Sequence, residues 1–115
     1  MSEPYIVNRA QLAVDDGSPE FVGADHPGGA RLCLILVDAR PGAGPRLHRH
    51  PYEEVFVVQE GRATYVVGDR EYKVGAGDVV VVPAGLPHRF VNSGDAPRRQ
   101  IDIHVSPRFE TEWLE

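Results

Sequence analysis

The 115-residue chain lacks several features that would point to other classes of protein. Its one cysteine, Cys33, excludes an intramolecular disulfide. Cys33 lies in the apolar run 32–37, where we expect a small buried side chain and no catalytic thiol. No apolar stretch approaches the roughly 20 residues that cross a membrane, and residues 1–16 lack the basic start and apolar run of an export signal. We therefore expect a cytoplasmic protein with no membrane partner.

Positive charge is also scarce. Lysine and arginine together number 12, against 17 aspartates and glutamates, and the formal net charge is −5 at pH 7. No run of basic residues forms a local patch that would outweigh this total. Because binding to a phosphate backbone depends on such a patch, nucleic acid is not an expected partner.

The composition that is present is that of an ordinary folded domain, with 42% apolar and 25% charged residues. A chain of this length has room for one hydrophobic core, so we predict a single domain over residues 1–115 with one main site. Short apolar runs separated by Gly, Pro, Asn and Asp predict an all-β sandwich or barrel made of hairpins. The expected strands are 32–38, 54–60, 63–67, 79–82, 88–92 and 100–105.

The sequence allows at most one helix, a short one at the C-terminus. Ser106 is suited to the N-cap and Pro107 to the first turn, while Phe109 and Trp113 lie four residues apart on one face. So short a helix is not stable alone. We expect this tail to pack its aromatic face onto the barrel or onto a second subunit.

Metal-ligating residue types are concentrated in the segment 46–54, Arg-Leu-His-Arg-His-Pro-Tyr-Glu-Glu. Side chains alternate along an extended chain, so the even-numbered His48, His50 and Glu54 can face the same side. Two imidazoles and a carboxylate would then converge. Parity says nothing about His88, which lies beyond several turns.

The spacing of these residues resembles the first of the two motifs of the cupin family. The matching residues are Gly42, His48, His50, Glu54 and Gly61, separated by five, one, three and six residues. A second series resembles the other cupin motif. Its residues are Gly77, Pro83, Gly85, His88 and Asn92, separated by five, one, two and three residues. The sequence therefore resembles a small single-domain cupin, with motifs at 42–61 and 77–92.

This resemblance implies a jelly-roll β-barrel of the RmlC-like type with roughly six to eight strands. It also implies one divalent metal ion inside the barrel, held by His48, His50, Glu54 and His88. Imidazole and carboxylate ligands without thiolates suit Fe, Mn, Ni, Cu or Zn. Four protein ligands on an octahedral ion would leave two positions for water or substrate. We expect the glycines and prolines to shape turns, and Asn92 to tie a strand or turn by hydrogen bonding.

Alternation also predicts which residues surround the metal site. Phe56 faces inward if Glu54 does, and Phe90 faces inward if His88 does. Tyr52 is predicted at the rim.

The final strand alternates the polar Gln100, Asp102 and His104 with apolar residues. The pattern does not decide which of these faces lines the cavity. If the polar face does, Asp102 or His104 is a candidate for proton transfer.

Two functions stay open for such a protein. One is a metal-dependent enzyme acting on a small organic molecule, as a dioxygenase-like oxygenase or as a redox-neutral isomerase or lyase. The other is a non-catalytic barrel that binds or senses a small ligand, since a fold does not fix a function. We favour the enzyme, because a predicted ion with open positions resembles a catalytic metal.

The segment 32–37 predicts a covered outer surface. It is apolar on both faces, whereas the outer face of a strand in an isolated barrel can be wet. Either the N-terminal segment or a second subunit must cover it. We predict a homodimer built on a strand face or by strand exchange, which is common among proteins that this sequence resembles.

Overall fold

The computed structural model describes residues 4–15 and 17–115. These residues form strands and two 3-10 turns, Arg9–Gln11 and Gly23–Asp25, and contain no α-helix. The strands in chain order are β1 (Ala13–Asp15), β2 (Ser18–Val22), β3 (Cys33–Ala39), β4 (His48–Arg49), β5 (Glu54–Glu60), β6 (Arg62–Val67), β7 (Arg70–Gly75), β8 (Val79–Val82), β9 (His88–Asn92), β10 (Arg98–His104) and β11 (Glu112–Trp113). Among the described residues, no helix is long and apolar enough to span a membrane.

The strands form two antiparallel sheets, which confirms the predicted all-β jelly roll. The first sheet has the order β1-β2-β3-β10-β5-β8, and the second has the order β11-β4-β9-β6-β7. Long-range pairing dominates, since β10 lies between β3 and β5 although it follows both in the chain. The two sheets enclose a core on one side of the interior and a polar cluster on the other.

The six predicted strands are all present. The bounds of β5, β8 and β9 agree with the prediction, and those of β3, β6 and β10 differ by one or two residues. The sequence did not predict β1, β2, β4, β7 or β11. Strand β7 carries mostly exposed charged and polar side chains at the edge of the second sheet, so it lacks an apolar run. Cys33 is fully buried, and burial raises the pKa of its thiol.

The short C-terminal helix that the sequence allowed does not form, and the tail packs against the barrel instead. Residues 106–111 are irregular, and Glu112–Trp113 form β11 beside β4. The amide of Leu114 donates to the carbonyl oxygen of Leu47 at 2.9 Å. An isolated turn of helix leaves most of its backbone groups unpaired, whereas pairing with β4 gives this segment partners.

The hydrophobic core fills the space between β5, β6 and β9. Its buried members are Phe56, Val58, Ala63, Tyr65, Val74, Val82 and Phe90. The ring of Phe56 meets those of Tyr65 and Phe90 edge to face, with centroids 5.1 and 5.8 Å away. It also lies 6.0 Å from the ring of His88. The core therefore packs against the polar cluster through Phe56 and His88.

Gly44 and the motif residue Asn92 fix the backbone around the loop that precedes β4. A side chain at Gly44 would overlap the carbonyl oxygen of Phe90, so only glycine lets this loop lie against β9. The side-chain amide of Asn92 donates to the carbonyl oxygens of Ala39 and Ala96, both at 2.9 Å. The expectation that Asn92 ties a turn is therefore confirmed.

Candidate metal centre

The four residues predicted as metal ligands lie together inside the barrel. His48 on β4 and His88 on β9 are register partners in the second sheet, and His50 follows β4 directly. Glu54 begins β5 in the first sheet and reaches the cluster from the opposite side. Each residue offers one possible ligand atom, and these four atoms all lie within 4.8 Å of one another. All four side chains are buried.

Each of the three histidines has its Nδ1 atom within hydrogen-bond distance of a backbone carbonyl oxygen. The pairs are His48 with Arg46 at 2.6 Å, His50 with Glu110 at 2.8 Å, and His88 with Leu86 at 2.9 Å. A carbonyl oxygen only accepts, so each neutral ring donates from Nδ1 and carries its lone pair on Nε2. The Nε2 atoms of His50 and His88 both lie 3.1 Å from Glu54 Oε1. This is the arrangement in which metal-binding histidines are usually held.

The charge of the cluster is set by Glu54. Burial alone would raise the pKa of this carboxyl group, but the neighbouring imidazoles of His104, His50 and His88 outweigh burial and hold the pKa below its usual range. Burial lowers the pKa of His48 to about 4, and the neighbouring His88 and His50 add to this effect. The cluster therefore favours neutral imidazole on His48 and an ionised carboxylate, the states that metal ligation requires.

The cluster fits a divalent metal ion. Nε2 of His50 is buried and has no hydrogen-bond partner, although Glu54 Oε1 lies 3.1 Å away, because the angles are not those of a hydrogen bond. Leaving a buried polar atom unsatisfied costs about 1–3 kcal/mol. Coordination of a cation by Nε2 would remove that cost, and three nitrogens with one oxygen suit transition metals.

The cluster opens onto a cavity of about 980 Å³. Of the predicted pocket residues, Phe90, Asp102 and His104 line this cavity, next to His48, His50 and Glu54. The cavity is within the size range of small-molecule sites, which is about 300–1,000 Å³.

The polar face of β10 points into the barrel. The sequence pattern alone does not decide between the two faces of this strand. Gln100, Asp102 and His104 are at most 3% exposed, whereas Ile101 and Ile103 are half-buried on the outer face. The register explains this choice, because His104 pairs with Glu54 on β5 and therefore shares its face.

A chain of hydrogen bonds orients Asp102. The Gln100 side-chain oxygen accepts from the Tyr65 hydroxyl at 2.7 Å and from Arg98 Nη1. The Gln100 amide nitrogen therefore faces the other way and donates to Asp102 Oδ1 at 2.6 Å. Burial raises the pKa of Asp102 well above its usual range, and the nearby charge of Glu54 raises it further. Gln100 therefore contacts Asp102 without itself lining the cavity.

Tyr52 contacts His104 but is not among the residues that line the cavity. The Tyr52 oxygen accepts from the backbone amide of Glu110 at 3.3 Å and lies 2.7 Å from His104 Nδ1. His104 Nε2 lies 3.0 Å from Glu54 Oε2 and is buried without a hydrogen-bond partner. Burial raises the pKa of Tyr52 to about 12, which keeps the hydroxyl a donor. Phe56, the remaining predicted pocket residue, packs in the core.

Sequence reasoning missed two contributors to the interior. Arg98 is 0% exposed, and its guanidinium lies 4.6 Å from the ring centre of Phe90. The alternation of Gln100, Asp102 and His104 would have included Arg98 if the strand had been extended by two residues. The C-terminal tail, with Phe109 and Trp113, also lines the cavity; the sequence predicted that its aromatic face packs on the barrel, but not that it lies beside the metal ligands.

Comparison with known proteins agrees with this architecture. The profile of the cupin domain family matches residues 35–104. The chain belongs to the cupin family, as the spacing of its two motifs predicted.

Its curated relatives include the polyketide synthase protein CurC of Streptomyces cyaneus, 38% identical over 63% of this chain and 47% of that protein. An uncharacterized protein of Methanocaldococcus jannaschii is 30% identical over 78% of this chain and 77% of that protein. Among solved structures, oxalate decarboxylase of Bacillus subtilis, a protein with Mn(II) centres, matches with a TM-score of 0.78 and 25% identity. That match covers 91% of this chain but 30% of the decarboxylase, and the chain spans about half the length of CurC.

Proposed function

We propose that this cupin is a metal-dependent enzyme acting on a small organic molecule, with the ion held by His48, His50, Glu54 and His88. The observation that carries the proposal is the convergence of three imidazoles and one carboxylate, of which His48, His50 and Glu54 line an open cavity. Tied Nδ1 atoms leave Nε2 of each ring available as a ligand. A divalent ion held there would act as a Lewis acid on an oxygen of the bound molecule.

The residues around the cluster have separate tasks in this proposal. The His104 ring lies against one carboxylate oxygen, with Nε2 3.0 Å from Glu54 Oε2, while Oε1 faces His50 and His88. Asp102, oriented by Gln100 and lining the cavity, holds a proton that it can transfer to the bound molecule. The rings of Phe90, Phe109 and Trp113 line the cavity and give it apolar surface for the carbon skeleton of a substrate.

The test combines metal analysis with oxygen uptake. The purified protein is expected to hold about one transition metal ion per chain, and uptake is then measured against small phenols, diketones and thiols. Iron or copper with substrate-dependent uptake supports an oxygenase, and product formation without uptake supports an isomerase or lyase. Asp102→Asn should keep the metal and lose turnover. Metal binding without turnover of any substrate would instead support the non-catalytic ligand-binding alternative, and failure to bind metal would contradict both.

We further propose that the outer face of the first sheet forms a homodimer. The N-terminal segment covers part of this face, where Tyr5, Val7 and Leu12 lie near Leu34 and Leu36. The outward side chains of the next three strands continue the apolar surface. They are Ile101, Ile103, Val55, Val57, Val79 and Val81. Val79 and Val81 remain 58% and 56% exposed, and such a contiguous patch is typical of an interface.

A lysine on this face should therefore dissociate the dimer. Sedimentation velocity is expected to give twice the 12.7 kDa chain mass for the wild type and the chain mass for Val81→Lys. Val91→Lys, on the second sheet, is the matched control and should stay dimeric. A wild-type mass equal to one chain at every concentration would overturn the dimer.

A further inference from the structure

Residues 106–115, which we name the C-terminal strap, run along one wall of the cavity. Alternate strap residues, Phe109, Thr111 and Trp113, line it. Strand β11 within the strap pairs with β4, so the short ligand-bearing strand β4 lies between β9 and β11. The strap is therefore both a part of the cavity and a neighbour of the metal centre.

The strap supplies the hydrogen-bond partner of one predicted ligand. Nδ1 of His50 donates to the carbonyl oxygen of Glu110 at 2.8 Å, and the hydroxyl of Thr111 lies 3.3 Å from the same nitrogen. The other two ligand histidines differ in this respect. Their partners, Arg46 and Leu86, lie two residues earlier in the chain, whereas Glu110 is 60 residues from His50. Among these three histidines, only His50 takes its Nδ1 partner from a distant segment.

The strap also packs against a second predicted ligand. The ring of Trp113 lies 5.1 Å from the ring of His48, on the strand that pairs with it. The amide of Leu114 donates to Leu47, directly before His48. An exposed bidentate ion pair between Arg49 and Glu112 adds to the same pairing, with contacts of 2.9 and 3.0 Å.

We propose that the C-terminal strap positions His50 and His48 for metal binding, so that retention of the ion depends on the strap. This inference rests on the proposed metal site. The carbonyl oxygen of Glu110 keeps hydrogen on Nδ1 of His50 and so directs its Nε2 lone pair into the cluster, where this atom has no hydrogen-bond partner. Trp113 limits rotation of the His48 ring. Loss of such outer partners typically weakens metal binding by about 10- to 100-fold.

The experiment uses full-length variants that release the strap. Leu114→Pro removes the amide that bonds to Leu47, and combined with Trp113→Ala it also removes the ring on His48. Trp113→Ala alone is a milder variant whose side chain is half-exposed, so folding is expected to survive. Glu110→Ala is the matched control, because it alters an exposed side chain and keeps the backbone carbonyl.

Two measurements are made on each variant. Competition with a chromophoric chelator gives the affinity for Zn²⁺ and its rate of release, and ¹⁵N NMR of the histidine rings in the metal-free protein gives the His50 tautomer. We expect the double variant to bind Zn²⁺ about 10- to 100-fold more weakly and to lose the preference for hydrogen on Nδ1 of His50, while Glu110→Ala matches the wild type. Trp113→Ala should release Zn²⁺ faster without a change of tautomer.

The outcomes separate the two proposals. Unchanged affinity, release rate and tautomer in the double variant would overturn the role of the strap while leaving the metal site intact. A wild type that binds none of Zn²⁺, Mn²⁺, Fe²⁺, Ni²⁺ or Cu²⁺ would overturn the metal site itself, whatever the tautomer of His50.

Discussion

Replacing His50 by alanine is expected to abolish retention of a divalent transition metal ion. The substitution removes the nitrogen that is buried in the cluster without a hydrogen-bond partner. The affinity should fall by more than about 100-fold, since even the loss of a partner one layer further out costs about 10- to 100-fold. Equilibrium dialysis followed by elemental analysis measures the change.

His26 provides the matched control, because it is the one histidine of this chain outside the cluster and its neighbour His104. Its ring stacks on Phe21 at a centroid distance of 4.3 Å, near Tyr5. His26→Ala should keep the metal content of the wild type. Full metal occupancy in His50→Ala would show that His50 is not a ligand.

Phe56→Ala should destabilise the protein by about 3–5 kcal/mol. Phe56 is 1% exposed, and its ring contacts those of Tyr65, Phe90 and His88. Removing it leaves a cavity that the two sheets can fill only in part. Because small domains are stable by about 5–15 kcal/mol, this one substitution can bring the barrel near its unfolding midpoint. Urea denaturation of the metal-free protein measures the loss.

A large apolar residue outside the core serves as the comparison. Ile6 is 96% exposed, so Ile6→Ala should change the free energy of unfolding by less than about 0.5 kcal/mol. Equal urea midpoints for Phe56→Ala and the wild type would contradict the position of Phe56 in the core.

The sequence predicted which residues would meet in the site. The alternation of side chains explains the positions of only some of them. Alternation accounts for His48 and His50, which lie on and just after β4. It does not account for Glu54, because a bend at Pro51 and Tyr52 separates it from them and Glu54 belongs to the other sheet. The spacing of the cupin motif allows for that bend. Counting alternate residues assumes instead that the strand runs straight from His48 to Glu54.

Contacts that depend on long-range pairing were harder to predict. The two faces of β10 were evident from its alternation, yet only its register with β5, which places His104 opposite Glu54, selects the polar face for the interior. The hydrogen bond from His50 to Glu110 uses a backbone carbonyl. Every residue carries that group, so no residue type marks the contact in advance.

The C-terminal tail shows a local preference overridden by tertiary structure. Ser106 and Pro107 suit the start of a helix, and the Ser106 hydroxyl oxygen does accept from the backbone amide of Arg108 at 3.3 Å, as an N-cap side chain does. No helix forms, because β4 offers the following backbone groups a partner strand. Propensity over so few residues is small compared with such pairing.

The division of the proposed ligands between two sheets gives the ion a mechanical role. His48 and His88 belong to one sheet and Glu54 to the other, so an ion bound to all of them would cross-link the barrel, and the sheets would separate only with its release. A ligand that binds only the folded state raises the free energy of unfolding by about 2.7 kcal/mol when its free concentration is about 100 times its dissociation constant. The lifetime of this fold in a cell would then follow the supply of free metal, and chains that failed to acquire an ion would be the first to be degraded.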